Sequence, residues 1–128
     1  MAESGARVAV IDSGVNPDHP HIRGAGELIA GPTVSSGDAA GPDSADALGH
    51  GTAVAVAIFD LAPRTTIYSI RCFVESFECP FEDVLRAIDV AIEWRPRWIN
   101  LSLGTTSPEY ITKTRSHTSR IRPRLWEM

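Results

Sequence analysis

Two short stretches carry side chains whose types and spacing could do chemistry together. One is VAVIDSGV, residues 8–15, an apolar run that ends in Asp12; the other is GHGTAVAVAI, residues 49–58, where His50 opens a run of small and apolar residues. The two side chains stand 50 − 12 = 38 residues apart. A carboxylate that accepts from one imidazole nitrogen fixes the tautomer and leaves the other nitrogen to act as a general base. Asp-Ser-Gly after an apolar run also suits one half of an aspartic dyad, or an acid where a buried strand surfaces. The dyad fails on pattern, because Val15 follows where a second small hydroxyl residue belongs and the chain reads as mixed helix and strand rather than mostly β.

The remaining candidates are weaker. His19 and His21 in DHPHI, together with His50 and His117, raise a metal site, but no helical ligand pair of the HExxH kind supports it. Cys72 and Cys79 bracket six residues, RCFVESFEC, and two ligands cannot close a structural zinc site. They read as two reduced thiols, one in the core and one in a loop, with a disulfide sterically feasible. No metal or cofactor is therefore expected.

A chain of 128 residues suits one domain, and its 43% hydrophobic and 22% charged content is ordinary for a globular protein. A net charge of −4 gives no reason to expect a nucleic-acid partner. No apolar run approaches the roughly 20 residues that span a bilayer, so no membrane partner is expected. The start, MAESGARVAVID, runs into a strand without a basic and apolar leader, which predicts a cytoplasmic location.

The elements that must position Asp12 and His50 follow from the hydrophobic pattern. Residues 7–11 read as a strand buried on both faces, which places Asp12 at its carboxyl end. ELIAGPTV is a second strand candidate, and the Ser, Gly, Asp and Ala of residues 35–48 read as an exposed loop. A buried helix starts at His50 and is closed by Pro63. TTIYSIRCF, residues 65–73, is a strand by its β-branched and aromatic content. FEDVLRAIDVAIEW is an amphipathic helix, with Val84, Leu85, Ile88, Ala91 and Ile92 on one side and Glu82, Asp83, Arg86, Asp89 and Glu93 on the others. WINLSL is a further strand, so residues 65–103 form a strand, helix, strand unit of the kind that builds parallel sheets. The tail, residues 110–128, has neither period and is basic, which predicts an irregular end beside a folded part at 1–109.

Taken in order, VAVIDSGVNPDHP, GHGTAVAVAI, LAPRTTIYSIRCF and EDVLRAIDVAIEWRPRWINLSLGT resemble the subtilases, the subtilisin-like serine proteases, over about residues 7–106. The resemblance implies an α/β fold: a three-layer, doubly wound, mostly parallel sheet, here truncated. It implies that Asp12 and His50 are the acid and base of an Asp/His/Ser triad. Ser102, Leu103 and Gly104 would lie along the backbone of a bound peptide or protein substrate and add it to the sheet edge. His21 stands where many members have an acidic residue, often a calcium ligand, so that ion is not carried over.

The family's serine, in a Gly-Thr-Ser helix start, and its oxyanion asparagine lie further along than residue 128. Ser107 in GTTSPE directly follows the substrate strand and is in the wrong topological place for that serine. The expectation is a serine endopeptidase domain that is inactive as it stands. The alternatives are a pseudoprotease that binds extended peptides or a partner protein, and one half of a split protease. An uncovered apolar sheet edge would then demand either a complementing chain or self-association.

Overall fold

The computed structural model describes residues 5–35, 38–42, 46–102, 108–117 and 126–127. Along the chain run β1 (Arg7–Asp12), β2 (Glu27–Ser35), β3 (Asp38–Pro42), α1 (His50–Leu61), β4 (Thr66–Arg71), α2 (Phe81–Glu93), β5 (Trp98–Leu101), α3 (Pro108–His117) and β6 (Trp126–Glu127). The strands form one sheet in the order β3-β2-β4-β1-β5-β6. Every neighbouring pair is parallel except β2 with β3.

β1 is central, flanked by β4 (Arg7↔Thr66 to Asp12↔Arg71) and by β5 (Val8↔Trp98 to Ile11↔Leu101). All of it beyond Arg7 is buried, as a strand covered on both faces must be. Side chains alternate across a strand, and the two packing clusters show the result. Ala9 and Ile11 pack with Val84, Ala87, Ile88 and Ala91 of α2, whereas Val8 and Val10 pack with Ala55 and Phe59 of α1. Helix, sheet and helix thus make three layers. The same alternation aims Asp12, two residues after Val10, at the α1 layer.

The buried stripe of α2 is Asp83, Val84, Ala87, Ile88 and Ala91. It is shifted toward smaller residues than the apolar pattern suggests, since Leu85 and Ile92 are only half-buried. Asp83, expected on an outer face, is buried and bonds Arg86 one turn on. An acid in the first turn is favoured by the helix dipole, which helps this carboxylate stay inside. The helix stops where Arg95 takes a left-handed φ of 59° ahead of Pro96. Arg7 then donates to the Trp94 carbonyl, its guanidinium 3.9 Å from the Trp94 ring centroid, while Tyr68 stacks on that ring at 4.8 Å. These contacts tie the end of α2 to the start of β1.

Three further expectations change. Residues 38–42, read as loop, form β3, which pairs antiparallel with β2 through Val34↔Ala39 and Ser35↔Asp38. A hairpin partner specifies this strand, not an apolar alternation of its own. The basic tail is not irregular throughout. Pro108 opens α3, as proline does at a first helical position, Glu109 pairs with Lys113 at 3.7 Å, and Thr114 Oγ1 donates to the Tyr110 carbonyl at 2.8 Å. Its main apolar anchor is one ring, Tyr110 stacked on Phe81 at 4.3 Å, which is too little to register as a period. Finally, β6 pairs in parallel with β5 through Ile99↔Trp126 and Asn100↔Glu127, so the tail itself lines part of the edge expected to be uncovered.

Ile88 sits 1% exposed between α2 and the sheet. Ile88→Ala should lower unfolding stability by about 2–5 kcal/mol through lost burial and the cavity left behind, measured by urea denaturation.

Candidate active site

Asp12 and His50 meet. The Nδ1 of His50 lies 2.9 Å and 3.0 Å from the two Asp12 carboxylate oxygens, and the Ser13 backbone N–H donates to Oδ1 at 2.7 Å. Asp12 is 1% exposed and the His50 side chain 47%. With Nδ1 engaged by the carboxylate, Nε2 is the nitrogen left for a reacting partner. An imidazolium formed there would sit directly on a buried anion, which is the arrangement a general base needs.

Two constraints bring the pair together. The first is the strand alternation that aims Asp12 at α1. The second is a close approach between α1 and the loop after β1. A Cβ on Gly51 would stand 2.0 Å from the Gly14 carbonyl oxygen, so only glycine allows the helix start to sit there. Gly49, at φ 82°, turns the chain into the helix.

A glycine cap has no side chain to satisfy the free amides of the first turn, and residues from outside the helix serve them. Asp46 accepts from the Gly49 N–H at 2.8 Å, the Thr52 N–H at 2.9 Å and the Thr52 hydroxyl. Ser13 Oγ donates to Asp46 at 2.7 Å and accepts from the Gly51 N–H at 2.9 Å. Thr52 Oγ1 in turn accepts from the Asn16 N–H at 2.9 Å. Partial burial would by itself raise the Asp46 pKa. The donors from Thr52, Ser13 and Gly49 outweigh it and hold the carboxyl below its ordinary value. Ser13 follows Asp12 and Gly51 follows His50, so this network clamps the two backbones that carry the pair.

Sequence reasoning found Asp12 and His50 and missed Asp46, Ser13 and Thr52. The available signal was an acidic residue shortly before a helix whose cap position is glycine. Ser102, expected to lie along a substrate, directly follows β5 and is half-buried, with its hydroxyl donating to Asn100 Oδ1 at 2.6 Å. Leu103, Gly104 and Ser107 lie outside the described residues. The His19 and His21 rings meet edge to face at 5.4 Å, and His19 Nδ1 accepts from the His21 N–H at 3.1 Å. Among the described residues no three His, Cys, Asp or Glu side chains gather as a metal site would need.

The sequence matches the Subtilase family over residues 3–128. It is 33% identical over 113 residues to a thermostable alkaline protease of Halalkalibacterium halodurans, covering 81% of this chain and 29% of that protein. The crystal structure of a lanthipeptide protease superposes with a TM-score of 0.69 at 27% identity, over 88% of this chain and 33% of that one. The nisin leader peptidase NisP of Lactococcus lactis superposes with a TM-score of 0.63 at 28% identity, over 80% and 33%. The chain thus spans about a third of the length of each of these three proteins.

The folded Asp46 pKa lies below the unfolded one, so its contribution to stability is full above the ordinary aspartate value of 3.8 and is lost as pH falls through the folded value. Asp46→Asn should cost about 1–2 kcal/mol at neutral pH, the size of a lost helix cap. It should also flatten the acid limb of the stability curve, measured by urea denaturation across that range.

Proposed function

The chain belongs to the subtilase family, and we propose that it supplies the acid and base of a subtilisin-like serine endopeptidase. His50 takes the proton of a serine hydroxyl through Nε2 and later returns it to the leaving amine. Asp12 orients the ring and stabilises the imidazolium. The observation that carries this reading is the hydrogen bonding of His50 Nδ1 to both oxygens of a buried carboxylate.

The serine nucleophile and the oxyanion asparagine come from sequence outside these residues. A base without a nucleophile activates nothing, so these 128 residues alone are inactive. The substrate is an extended stretch of a peptide or protein. Ser102, Leu103 and Gly104 bind its backbone by strand addition. Two solved neighbours, a lanthipeptide protease and a nisin leader peptidase, support that substrate class.

A test joins the chain to the serine-bearing remainder of a subtilase catalytic domain. Hydrolysis of an extended peptide and labelling by a fluorophosphonate should appear in the joined protein and be absent from the chain alone. Asp12→Asn in the joined protein should lower kcat on the order of 10⁴-fold. Hydrolysis by the isolated chain would remove the claim of inactivity, and an unchanged kcat in Asp12→Asn would remove the role of the carboxylate.

A further inference from the structure

The loop from Cys72 to Pro80 joins β4 to α2 on the same side of the sheet as the α2 cluster, and the proposed reaction leaves its two thiols unused. Cys72 is buried in that cluster, with its N–H donating to the Asp12 carbonyl at 2.9 Å. Cys79 is half-buried, packs against the same cluster and lies two residues before α2 begins. Both are free thiols, packed in one cluster at the two ends of the loop. Between them the loop projects residues 75–78 into solvent. One of these, Phe77, is 59% exposed, yet its ring meets the His50 ring edge to face at 5.7 Å and the Phe73 ring at 6.4 Å.

The two thiols are chemically unequal. The hydrogen bond from Cys72 holds Cys79 below the ordinary thiol range despite partial burial. The same bond, burial, and the negative charges of Cys79, Asp12 and Asp83 push Cys72 upward. Cys79, the less buried of the two, is the thiol that a small molecule reaches first, and Cys72 is the buried resolving partner.

We propose that Cys72 and Cys79 form a redox-active dithiol that closes to an intramolecular disulfide by exchange with a small-molecule disulfide, fixing the loop that lays Phe77 against His50. The Cys79 thiolate attacks the small disulfide, forms a mixed disulfide and releases one thiolate. That thiolate takes the Cys72 proton, and the Cys72 sulfur attacks Cys79 and expels the second thiolate. Two protein thiols and one small disulfide become one protein disulfide and two small thiols, with no other oxidant needed. The cross-link turns an exposed loop held at its ends by packing into a closed ring of fixed shape, and Phe77 is carried on that ring. The covalent step stands apart from the protease reading. Only the consequence for substrate access rests on His50 being the base.

The test equilibrates the purified chain with mixtures of oxidised and reduced glutathione. The free-thiol count should fall from two per chain to none. The mass should stay that of a monomer lacking two hydrogens, peptide mapping should join Cys72 to Cys79, and dithiothreitol should reverse the change. Cys72→Ser should stop at a glutathione adduct on Cys79, and Cys79→Ser, at the less buried position, should leave Cys72 unreacted. A wild-type chain that keeps both thiols, retains glutathione on Cys79 with Cys72 free, or forms linked dimers instead would overturn the proposal. Oxidation should also shift the His50 ring resonances in the wild type and much less in Phe77→Ala. A disulfide that forms without moving those resonances would overturn the link to His50 while leaving the protease reading untouched.

Discussion

The close approach of the first turn of α1 to the loop after β1 is the constraint on which the site depends. Strand alternation aims Asp12 at the α1 layer, but alternation alone fixes only a direction. The 2.0 Å that a Cβ on Gly51 would leave to the Gly14 carbonyl shows how little room separates the two backbones. At that spacing an imidazole on the first helical residue reaches a carboxylate at the strand end without a bridging water. A side chain at residue 51 would have to push helix and strand apart, and the hydrogen bond from His50 would lengthen with them.

Placing carboxylates where less water reaches has a cost that each of three acids, Asp12 and Asp83 buried and Asp46 partly so, offsets in its own way. Asp12 takes the Ser13 amide and the imidazole. Asp46 takes two amides and two hydroxyls. Asp83 takes Arg86 and the favourable end of α2. The three sit on different elements, and two of them share Ser13: its N–H serves Asp12 and its hydroxyl serves Asp46. One residue thereby couples the orientation of Asp12 to the capping of the helix that carries His50.

What could be read from the sequence divides along the same physical lines. β1, β4, β5, α1 and α2 are legible because each buries a stripe or a face, and burial leaves a period. Asp12 and His50 are legible because they end one such element and begin another. β3 and α3 are illegible for the opposite reason: a hairpin partner defines the first, and one stacked ring pair and local side-chain bonds support the second. Asp46 lies outside any period and acts through hydrogen bonds to amides, which composition does not reveal. Asp83 misleads because a charged residue in an amphipathic pattern normally marks a solvent face, whereas this one has a cationic partner a turn away.

The geometry also explains how an acid and base can be organised by a segment that spans only about a third of three of its relatives. Among the described residues, the side-chain hydrogen bonds that orient Asp12 and His50 come from residues 12–52, and the surfaces that hold their two elements are the faces of β1 and α1. β1 needs β4 and β5 on its flanks, and α2 covers its other face, all within the described residues. None of these contacts draws on a nucleophile. The orientation of His50 is therefore a property of the strand–helix scaffold, with no nucleophilic serine needed to set it. Reactivity is a separate requirement that the same scaffold does not have to satisfy.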